Sequence, residues 1–588
     1  MASVNPCAAE IATAVANALG GDVRAEDLKV EAPPRPELGD FAVGMFGVAK
    51  ALRQAPPAIA ARCAAALQPS ELVASATAAG PFVNIKVNRG WVFGWLAKKQ
   101  LVPAVGAGKT LCIDYSSPNI SKHLAYHHIR STMLGHALAE LHRALGWKVI
   151  GINHVGDWGT THGMLIAAYH AWGHEPQYAP LDITGLNALY KRYRAAMKDD
   201  PELNDVARGW FKRLEDGEPE ARALWQRFRD ISMAEFKSVY EMLEVHFDHE
   251  GGESFYEDKM PEVLQLLAAK GLLEESEGAT VVWLPEEKDP LLIKTKDGTT
   301  LYATRDLASA LYRKRTWDFD RSLYVVDRGQ ATHFRQVFKC LTLLGFDWAA
   351  QCQHVPFGLV RFGGKKVSSR GSAGAAEAPA GATTPGESEA RPMMLKEVFN
   401  EAIDAVAPII TEKNPDMDPA TVGATAKWVG IGAVVFGNVV PQRDKDIDFV
   451  LERATSLSGD SGPYLQFTAA RCAGIRRKAG NPGSLVDEAD WSLLTHESEW
   501  AVARRLLDFG DAIARSAASC EPHILAHYLL DLAGDVSRWF TLGNDEPALR
   551  VLVDDAPLRT ARLALVEVVR HALEQGLGIL GLHAPERM

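Results

Sequence analysis

LCIDYSSPNISKHLAYHHIRSTMLGHALAELHRAL, residues 111–145, is the stretch that decides the fold of this chain. It predicts a short apolar strand over 111–113, a turn of small polar residues and then a helix. The leucines of that helix fall on one face, at Leu134, Leu138, Leu141 and Leu145. A strand that enters a helix through such a turn directs backbone N–H groups and the positive end of the helix dipole into a crevice, which favours phosphate binding.

The first turns of the predicted helix are rich in basic side chains, at Lys122, His123, His127, His128 and Arg130. Three histidines could form a zinc site, but no Cys or carboxylate accompanies them at metal-ligand spacing, so no metal centre is predicted. A solvated helix start is the other alternative for a single charged turn. Motifs further along the chain, described below, favour a nucleotide site instead.

The composition is that of a globular protein with several domains. The 588 residues are 47% hydrophobic and 23% charged, and the formal net charge of -11 argues against indiscriminate nucleic-acid binding. Seven scattered cysteines include no CxxC pair, which predicts neither a disulfide framework nor a zinc ribbon. The longest apolar stretches, such as residues 428–440, fall short of a membrane span, so we expect a cytoplasmic protein.

A second strand-and-turn segment, KVIGINHVGDWGTTHG at 148–163, follows the opening helix. Repeated segments of this kind are typical of a parallel, doubly wound sheet, whose functional groups collect at the carboxyl ends of the strands. Further along, LYATRDLA at 301–308 places Tyr302 and Asp306 on one face of a predicted helix. A phenol and a carboxylate can converge on a ligand there, although a structural hydrogen bond is the alternative for such a pair.

Composition and apolar patterning also separate the rest of the chain into segments of different predicted structure. Residues 1–104 predict a small α/β module, and residues 180–250 predict a charge-rich helical insertion. The basic segment RFGGKKVSSRGS at 361–372 runs into an Ala-, Gly- and Pro-rich stretch at 371–392, which predicts a mobile loop beside the nucleotide site.

The remainder of the chain, from about residue 395, is predicted to be helical. Its basic and aromatic residues could form a surface for unpaired bases, with Arg471, Arg476, Arg477, Lys478, Trp539 and Phe540. Solvation or core packing is the alternative role for any single one of these residues.

Together these motifs resemble those of the arginyl-tRNA synthetases, a family of class I aminoacyl-tRNA synthetases. The resemblance extends from residue 116 to residue 588 in matching order, through SSPNISK, INHVGDWGTTHGMLIA, LYATRDLA, the HFRQVF region, KKVSSR, SGPYLQF with AAR, and the terminal PERM.

The resemblance implies an α/β fold with a Rossmann-type class I catalytic domain at 105–440. It also implies a small N-terminal α/β domain at 1–104 that contacts the tRNA elbow, and an all-α helical bundle at 441–588 that binds the anticodon. Arginine and ATP, accompanied by Mg2+, would form arginyl-adenylate and pyrophosphate, and the arginyl group would pass to the terminal ribose of the tRNA. A monomer without a tightly bound cofactor is expected.

Site residues follow from the same resemblance. The α-amino and carboxylate groups of arginine would be held by Asn119 and Asn153, with His154 and Asp157 lining the crevice. A guanidinium presents five donors in a plane and keeps its charge, so its pocket needs carboxylates and other acceptors. Its implied ligands are Glu253, Tyr302, Asp306 and Gln330.

The groups that would act on ATP come from the opening helix and from the basic loop. The implied catalytic residues are Lys122, His127, His128 and Lys366. The implied ATP contacts are His127, His128, Lys366, Ser368 and Arg370, and the implied tRNA contacts are Arg471, Arg476 and Trp539.

Three departures from the family pattern stand out. The usual opening signature is His-x-Gly-His, whereas this chain has Ala125, Tyr126, His127 and His128, so His127 would replace the missing donor. The second lysine of the loop motif is Ser369, and the insertion at 371–392 is unlike most relatives. Two alternatives therefore stay open: a paralogue that passes arginine to a non-tRNA acceptor, and an inactive RNA-binding relic.

Overall fold

The computed structural model describes residues 5–21, 23–98, 101–295, 301–362, 365–366 and 394–588, without the side chains of residues 36, 362, 365 and 366. The loop predicted at 371–392 lies outside the described residues. The chain forms two compact units, one of Met1–Val105, Lys413–Thr421 and Leu457–Met588, the other of Gly106–Glu412 and Val422–Ser456. The N-terminal module and the C-terminal helices thus belong to one unit.

The N-terminal module is a small α/β fold, as the sequence predicts. Its helices are α1 (Pro6–Leu19), α2 (Phe46–Leu52), α3 (Pro56–Ala66) and α4 (Arg89–Ala97). Its strands β1 (Val30–Glu31), β2 (Phe41–Gly44), β3 (Val73–Ala79) and β4 (Phe82–Val87) form an antiparallel sheet in the order β1-β2-β4-β3. Asn5 caps α1 by accepting a hydrogen bond from the Ala8 N–H, and Pro6 occupies the first helical position.

The second compact unit is centred on a parallel sheet. Its strands are β5 (Thr110–Asp114), β6 (Lys148–Ile152), β7 (Glu274–Ser276), β8 (Ala279–Val282), β9 (Leu291–Lys294), β10 (Arg321–Tyr324), β11 (Cys352–His354), β12 (Val360–Phe362), β13 (Lys365–Lys366) and β14 (Ile447–Phe449). The order β11-β10-β5-β6 places β6 and β10 on opposite sides of β5. Ligands bind at such a switch point, outside the carboxyl ends of the strands.

Helices surround this sheet and form the insertion that follows β6. They are α5 (His128–Ala144), α6 (Thr160–Trp172), α7 (Ile183–Asp199), α8 (Leu203–Glu215), α9 (Pro219–Leu243), α10 (Met260–Ala269), α11 (Tyr302–Trp317), α12 (Ala331–Leu343), α13 (Leu395–Lys413), α14 (Pro419–Val439) and α15 (Leu451–Ala454). The insertion has a core of its own, in which Trp158, Phe211 and Phe228 pack together. It is therefore a folded part of the unit.

The start of α5 differs from the sequence-based prediction. The helix begins at His128, so Lys122 and His123 lie in the loop before it instead of in its first turns. Ser121 has φ 68°, a left-handed conformation that interrupts a right-handed helix. The loop 116–127 is thus free to contact other elements.

Helix α14 corrects a second expectation. It is the one helix among the described residues that is long and apolar enough to cross a membrane, judged by length and composition alone. About 61% of its most apolar window is buried inside the protein, as in a core helix.

The C-terminal part is helical, but the prediction of an all-helical domain over 441–588 is wrong at its start, because Ile447–Phe449 forms β14 and pairs with β12. It consists of α16 (Gly462–Lys478), α17 (Glu497–Leu507), α18 (Phe509–Ser519), α19 (His523–Asp545) and α20 (Ala556–Ile579). Within its compact unit it packs on the N-terminal module. Trp500 Nε1 donates a hydrogen bond to Asp40 at 2.9 Å, and the rings of Phe93 and Trp491 stack with their centroids 5.7 Å apart.

Candidate active site

The turn after β5 is built from small hydroxyl residues that adopt left-handed conformations, with φ 69° at Ser116 and 47° at Ser117. Ser116 Oγ lies 2.8 Å from the Tyr240 hydroxyl of α9, and Ser117 Oγ donates to Asp114 Oδ1 at 2.8 Å. These bonds fix the turn to both the sheet and the insertion. The next residues, 118–120, are thereby aimed at the carboxyl edge of the sheet.

Asn119 lies directly against the loop that follows β6. The Ile120 N–H donates to the Gly156 carbonyl at 3.1 Å, and the Gly156 N–H donates to the Pro118 carbonyl at 3.0 Å. An added Cβ at Gly156 would lie 1.9 Å from Asn119 Oδ1, so the close approach requires glycine. The exposed Asn119 side chain is held at the crevice by this pairing.

Asn153 is fully buried at the carboxyl end of β6. Its Oδ1 accepts from the Ser117 N–H at 3.1 Å, and its Nδ2 donates to the Tyr240 hydroxyl at 3.2 Å. An amide has two N–H donors and two acceptor lone pairs, so half of its capacity is left for a ligand.

Asp157 has a structural role that its sequence position does not reveal. Its fully buried carboxylate accepts bonds from Arg229 Nε at 3.0 Å, from the Ser254 N–H at 2.9 Å and from Ser254 Oγ at 2.9 Å. These bonds fix the segment that carries Glu253. Asp157 therefore shapes the wall of the crevice from behind.

His154 lies in the same loop, and its ring packs 5.4 Å from that of Tyr256. Burial lowers the pKa of His154, which keeps the imidazole neutral at neutral pH. Its Nδ1 is buried and has no hydrogen-bond partner among the described residues. A buried ring nitrogen without a partner is a place where a ligand can form a bond.

Two carboxylates form the acidic wall of the crevice. Glu253 is tied to the loop after β6 through its N–H, which donates to the Val155 carbonyl at 3.0 Å. Burial raises the pKa of Glu253 to about 8; Arg305 opposes the shift, and the carboxylates of Asp157 and Asp306 add to it. Tyr256, three residues after Glu253, packs in one core with Ala303 and Leu307 of α11, so α11 borders the same wall.

The Asp306 carboxylate is hydrogen-bonded to a residue of α12, because its Oδ2 lies 2.5 Å from His333 Nε2. Burial raises the pKa of Asp306, but the bond to His333 and the charges of His333, His154 and Arg313 outweigh burial, so the pKa is lowered. One helical turn earlier, Tyr302 is 64% exposed. Gln330 is exposed immediately before α12.

The two histidines of the opening helix are neutral donors or acceptors, whereas the sequence suggested a cluster of cations. Burial lowers the pKa of His128 to about 4. Burial, followed by the charges of His128 and Lys122, places the pKa of His127 well below its ordinary value. His128 Nδ1 lies 3.0 Å from the Ala125 N–H and 3.1 Å from the Ala125 carbonyl oxygen, so this nitrogen is tied to the backbone of Ala125.

Arg130 also differs from the expectation, because it is fully buried. Its guanidinium donates to backbone carbonyls at the end of α14 and just after it, those of Asn438, Gln442, Arg443 and Lys445. Lys122, in the loop before α5, does supply a cationic group, and its ammonium lies 5.4 Å from the ring centroid of Tyr190. The helix dipole adds to its field.

The basic loop of the sequence is described only in part. Lys366 belongs to β13, and its side chain is not described. Ser368 and Arg370 lie outside the described residues. Their predicted roles toward ATP stay predictions.

Comparison with known proteins decides the family. The model of the class I (R) tRNA synthetase catalytic domain matches residues 92–451, that of the DALR anticodon-binding domain matches 465–588, and that of the arginyl-tRNA synthetase N-terminal domain matches 6–87. The chain belongs to the arginyl-tRNA synthetases.

Individual arginyl-tRNA synthetases are similar to this chain over almost their whole length. The chain is 40% identical to an arginine–tRNA ligase of Clostridioides difficile over 96% of this chain and 97% of that one. It is 42% identical to one of Exiguobacterium sibiricum over 95% of each. The structure of the Thermus thermophilus arginyl-tRNA synthetase matches with a TM-score of 0.81 and 27% identity, covering 98% of this chain and 99% of that one.

The residues predicted to contact tRNA have different environments. Trp539 is fully buried, so its predicted stacking on a base is wrong: its ring has no exposed face. Arg476 pairs with Glu567 at 3.1 Å and donates to the carbonyls of Pro482 and Gly483, which is an internal role. Arg471 is half-buried, over the ring of Phe540 at 5.2 Å.

Two residues that contact the candidate site were not found from the sequence. His333 lies 27 positions from Asp306, and Arg229 lies 72 positions from Asp157, so neither pair has a recognisable spacing. Membership of His333 in the HFRQVF segment was the one available signal. Neither contact could be predicted without the packing of the helices that carry it.

Proposed function

We propose that this chain activates arginine with ATP, forming arginyl-adenylate and pyrophosphate, and then transfers the arginyl group to the terminal ribose of its tRNA. One observation carries the proposal: the segment that bears Glu253 packs on α11, which bears Asp306, and is tied through the Val155 carbonyl to the loop that bears Asn153 and pairs with Asn119. A single amino acid with a cationic side chain fits between such walls. The neighbouring start of α5 is available for the triphosphate.

The arginine end of the site uses two kinds of groups. Glu253, Tyr302, Asp306 and Gln330 would receive the guanidinium, since carboxylate and phenol oxygens can accept its planar donors. Asn119 and Asn153 would orient the α-amino and carboxylate groups, with His154 beside them. This orientation presents a carboxylate oxygen of arginine to the α-phosphorus of ATP.

The ATP end requires positioned donors and cations, because charge moves onto the leaving pyrophosphate when its bond to the α-phosphorus breaks. His128 would present its second ring nitrogen, Nε2, to the phosphates, and Lys122 offers a charge from the loop before α5. His127 would take the place of the missing first histidine. Lys366, Ser368 and Arg370 would contact the phosphates from the basic loop, and Mg2+ would arrive with ATP as part of the substrate.

Transfer to tRNA follows from the domain content. Residues 1–104 would contact the tRNA elbow and residues 441–588 the anticodon, with Arg471 as the better placed of the predicted contacts. A terminal ribose hydroxyl then attacks the arginyl carbonyl and AMP leaves. A cytoplasmic monomer without a tightly bound cofactor is the form in which we expect this enzyme to act.

The test is ATP–pyrophosphate exchange by the purified full chain with arginine and cognate tRNA. We expect exchange that requires arginine, and we expect Asp306→Asn to lower kcat/KM for arginine by about a hundredfold or more, because one carboxylate of the guanidinium pocket is lost. His170→Gln, in an exposed pair with Glu220 on the insertion, is the matched control. No exchange by the wild-type chain, or equal exchange by Asp306→Asn, would contradict the proposal.

A further inference from the structure

His333 on α12 makes a contact that the proposed reaction does not explain. Its Nε2 lies 2.5 Å from Asp306 Oδ2, and the two side chains are 23% and 20% exposed. The pair joins two different helices, α11 and α12, at the guanidinium end of the crevice. A short bond at the wall of a binding site restricts the orientation of the carboxylate that will meet the ligand.

The contact occupies one oxygen of Asp306 and leaves the other available. A carboxylate has about four lone-pair positions, so Oδ1 can still accept a guanidinium N–H while Oδ2 is held by the imidazole. Without His333, rotation of the carboxylate about its terminal torsion is free, since such torsions are broad. A ligand would then have to order the carboxylate on binding, which lowers affinity.

The charge of the pocket shows why the orientation of Asp306 matters. In the empty pocket Glu253 is protonated near neutral pH, whereas the pKa of Asp306 is lowered, so Asp306 supplies the negative charge that a guanidinium meets first.

Other charged groups near the pair act on the same carboxylate. Asp306 is also faced by His154, Glu253 and Arg313. On α12 itself the nearby cations Arg335 and Lys339 are both paired with Glu287, and the ring of Phe334 packs on that of His333 at 5.4 Å. A comparison of variants that differ only at position 333 leaves all these groups unchanged.

We propose that His333 is a positioning residue, which orients the Asp306 carboxylate toward the arginine guanidinium. This inference rests on the proposed function, because it assumes that Asp306 meets the guanidinium. It assigns to His333 no contact with arginine or ATP.

The experiment measures arginine- and tRNA-dependent ATP–pyrophosphate exchange for the wild type, His333→Ala and His333→Gln. We expect His333→Ala to raise KM for arginine by about tenfold, the loss of one hydrogen bond to a charged group, with KM for ATP and kcat changed by less than about twofold. His333→Gln keeps an N–H donor and should recover most of the loss. His170→Gln, another histidine paired with a carboxylate, is the control and should leave both KM values unchanged.

Rescue by the conservative variant separates positioning from folding. A raised KM for arginine in His333→Ala, with recovery in His333→Gln and an unchanged melting temperature in both, supports the inference. An unchanged KM for arginine in His333→Ala, or equally raised KM values in both variants, would overturn the inference while wild-type exchange left the proposed function standing. If His333→Ala does not fold, His333→Leu, which fills the space without a donor, takes its place in the comparison.

Discussion

Arg313 and Asp114 form an ion pair inside the catalytic unit, with 2.6 Å between guanidinium and carboxylate. Only 1% of the arginine side chain and 8% of the aspartate side chain are exposed. Burial opposes a charged guanidinium, but the field of Asp114 outweighs burial and raises the pKa of Arg313 further. Asp114 also accepts from Ser117 Oγ, so the pair supports the turn that carries the site.

Removing one partner of this pair should be costly. We expect Arg313→Met to lower the free energy of unfolding by about 3–5 kcal/mol, because an uncompensated carboxylate stays buried. The double variant Asp114→Asn with Arg313→Met should regain much of that loss. Urea titration followed by circular dichroism measures both values, and equal losses for the two proteins would contradict the expectation.

Arginine binding should release a proton from Glu253. Since the pKa of Glu253 is raised to about 8 in the empty site, the group is mostly protonated at about pH 7, and an arriving guanidinium favours its ionised form. Affinity for arginine should therefore increase as pH rises toward about 8. Calorimetry in buffers of different ionisation enthalpy measures the release, and Glu253→Gln should abolish it.

The same group should affect stability in the opposite direction. The pKa of Glu253 in the folded protein is about 8, above the value of about 4.3 in the unfolded chain. The protonated carboxyl therefore stabilises the folded state fully below about pH 4.3, and this stabilisation is lost as pH rises through about 8. The empty wild-type protein should thus lose more stability than Glu253→Gln between about pH 5 and 8. Thermal melts at several pH values without arginine give the comparison, and identical slopes would refute it.

Gly156 should be intolerant of a side chain. In Gly156→Ala the added Cβ would collide with Asn119 Oδ1, so Asn119 must move away from the crevice. We expect KM for arginine to rise by about tenfold or more, through misplacement of the amino-acid end. Gly209→Ala, at a helical position with open space around it, is the control and should not change KM.

Arg471 and Trp539 should affect different measurements. Arg471→Gln should raise KM for tRNA by severalfold without altering the melting temperature. Trp539→Ala should instead lower the free energy of unfolding by about 3–5 kcal/mol, because it leaves a cavity at a fully buried site. Arg538→Gln, an exposed change on α19, is the control for charge. A normal KM for tRNA in Arg471→Gln would show that this side chain does not contact tRNA.

The parts of the fold that local patterns encode were predictable from the sequence. The strand before Ser116 and the helix after His128 follow from apolar periodicity, and the parallel sheet follows from its repetition. Contacts between distant segments were not predictable. Arg130 meets carbonyls more than 300 positions away, and an aromatic residue such as Trp539 shows the same helical pattern whether it faces solvent or the core.

The packing of Asp40 on Trp500 and of Phe93 on Trp491 has a consequence for synthesis on the ribosome. The N-terminal module leaves the ribosome first, but its partners follow some 400 residues later, which at 5–20 residues per second is a delay of roughly 20–80 s. During that interval the surface that will receive the C-terminal helices is uncovered. The nascent chain must therefore be protected from aggregation until its last quarter has emerged.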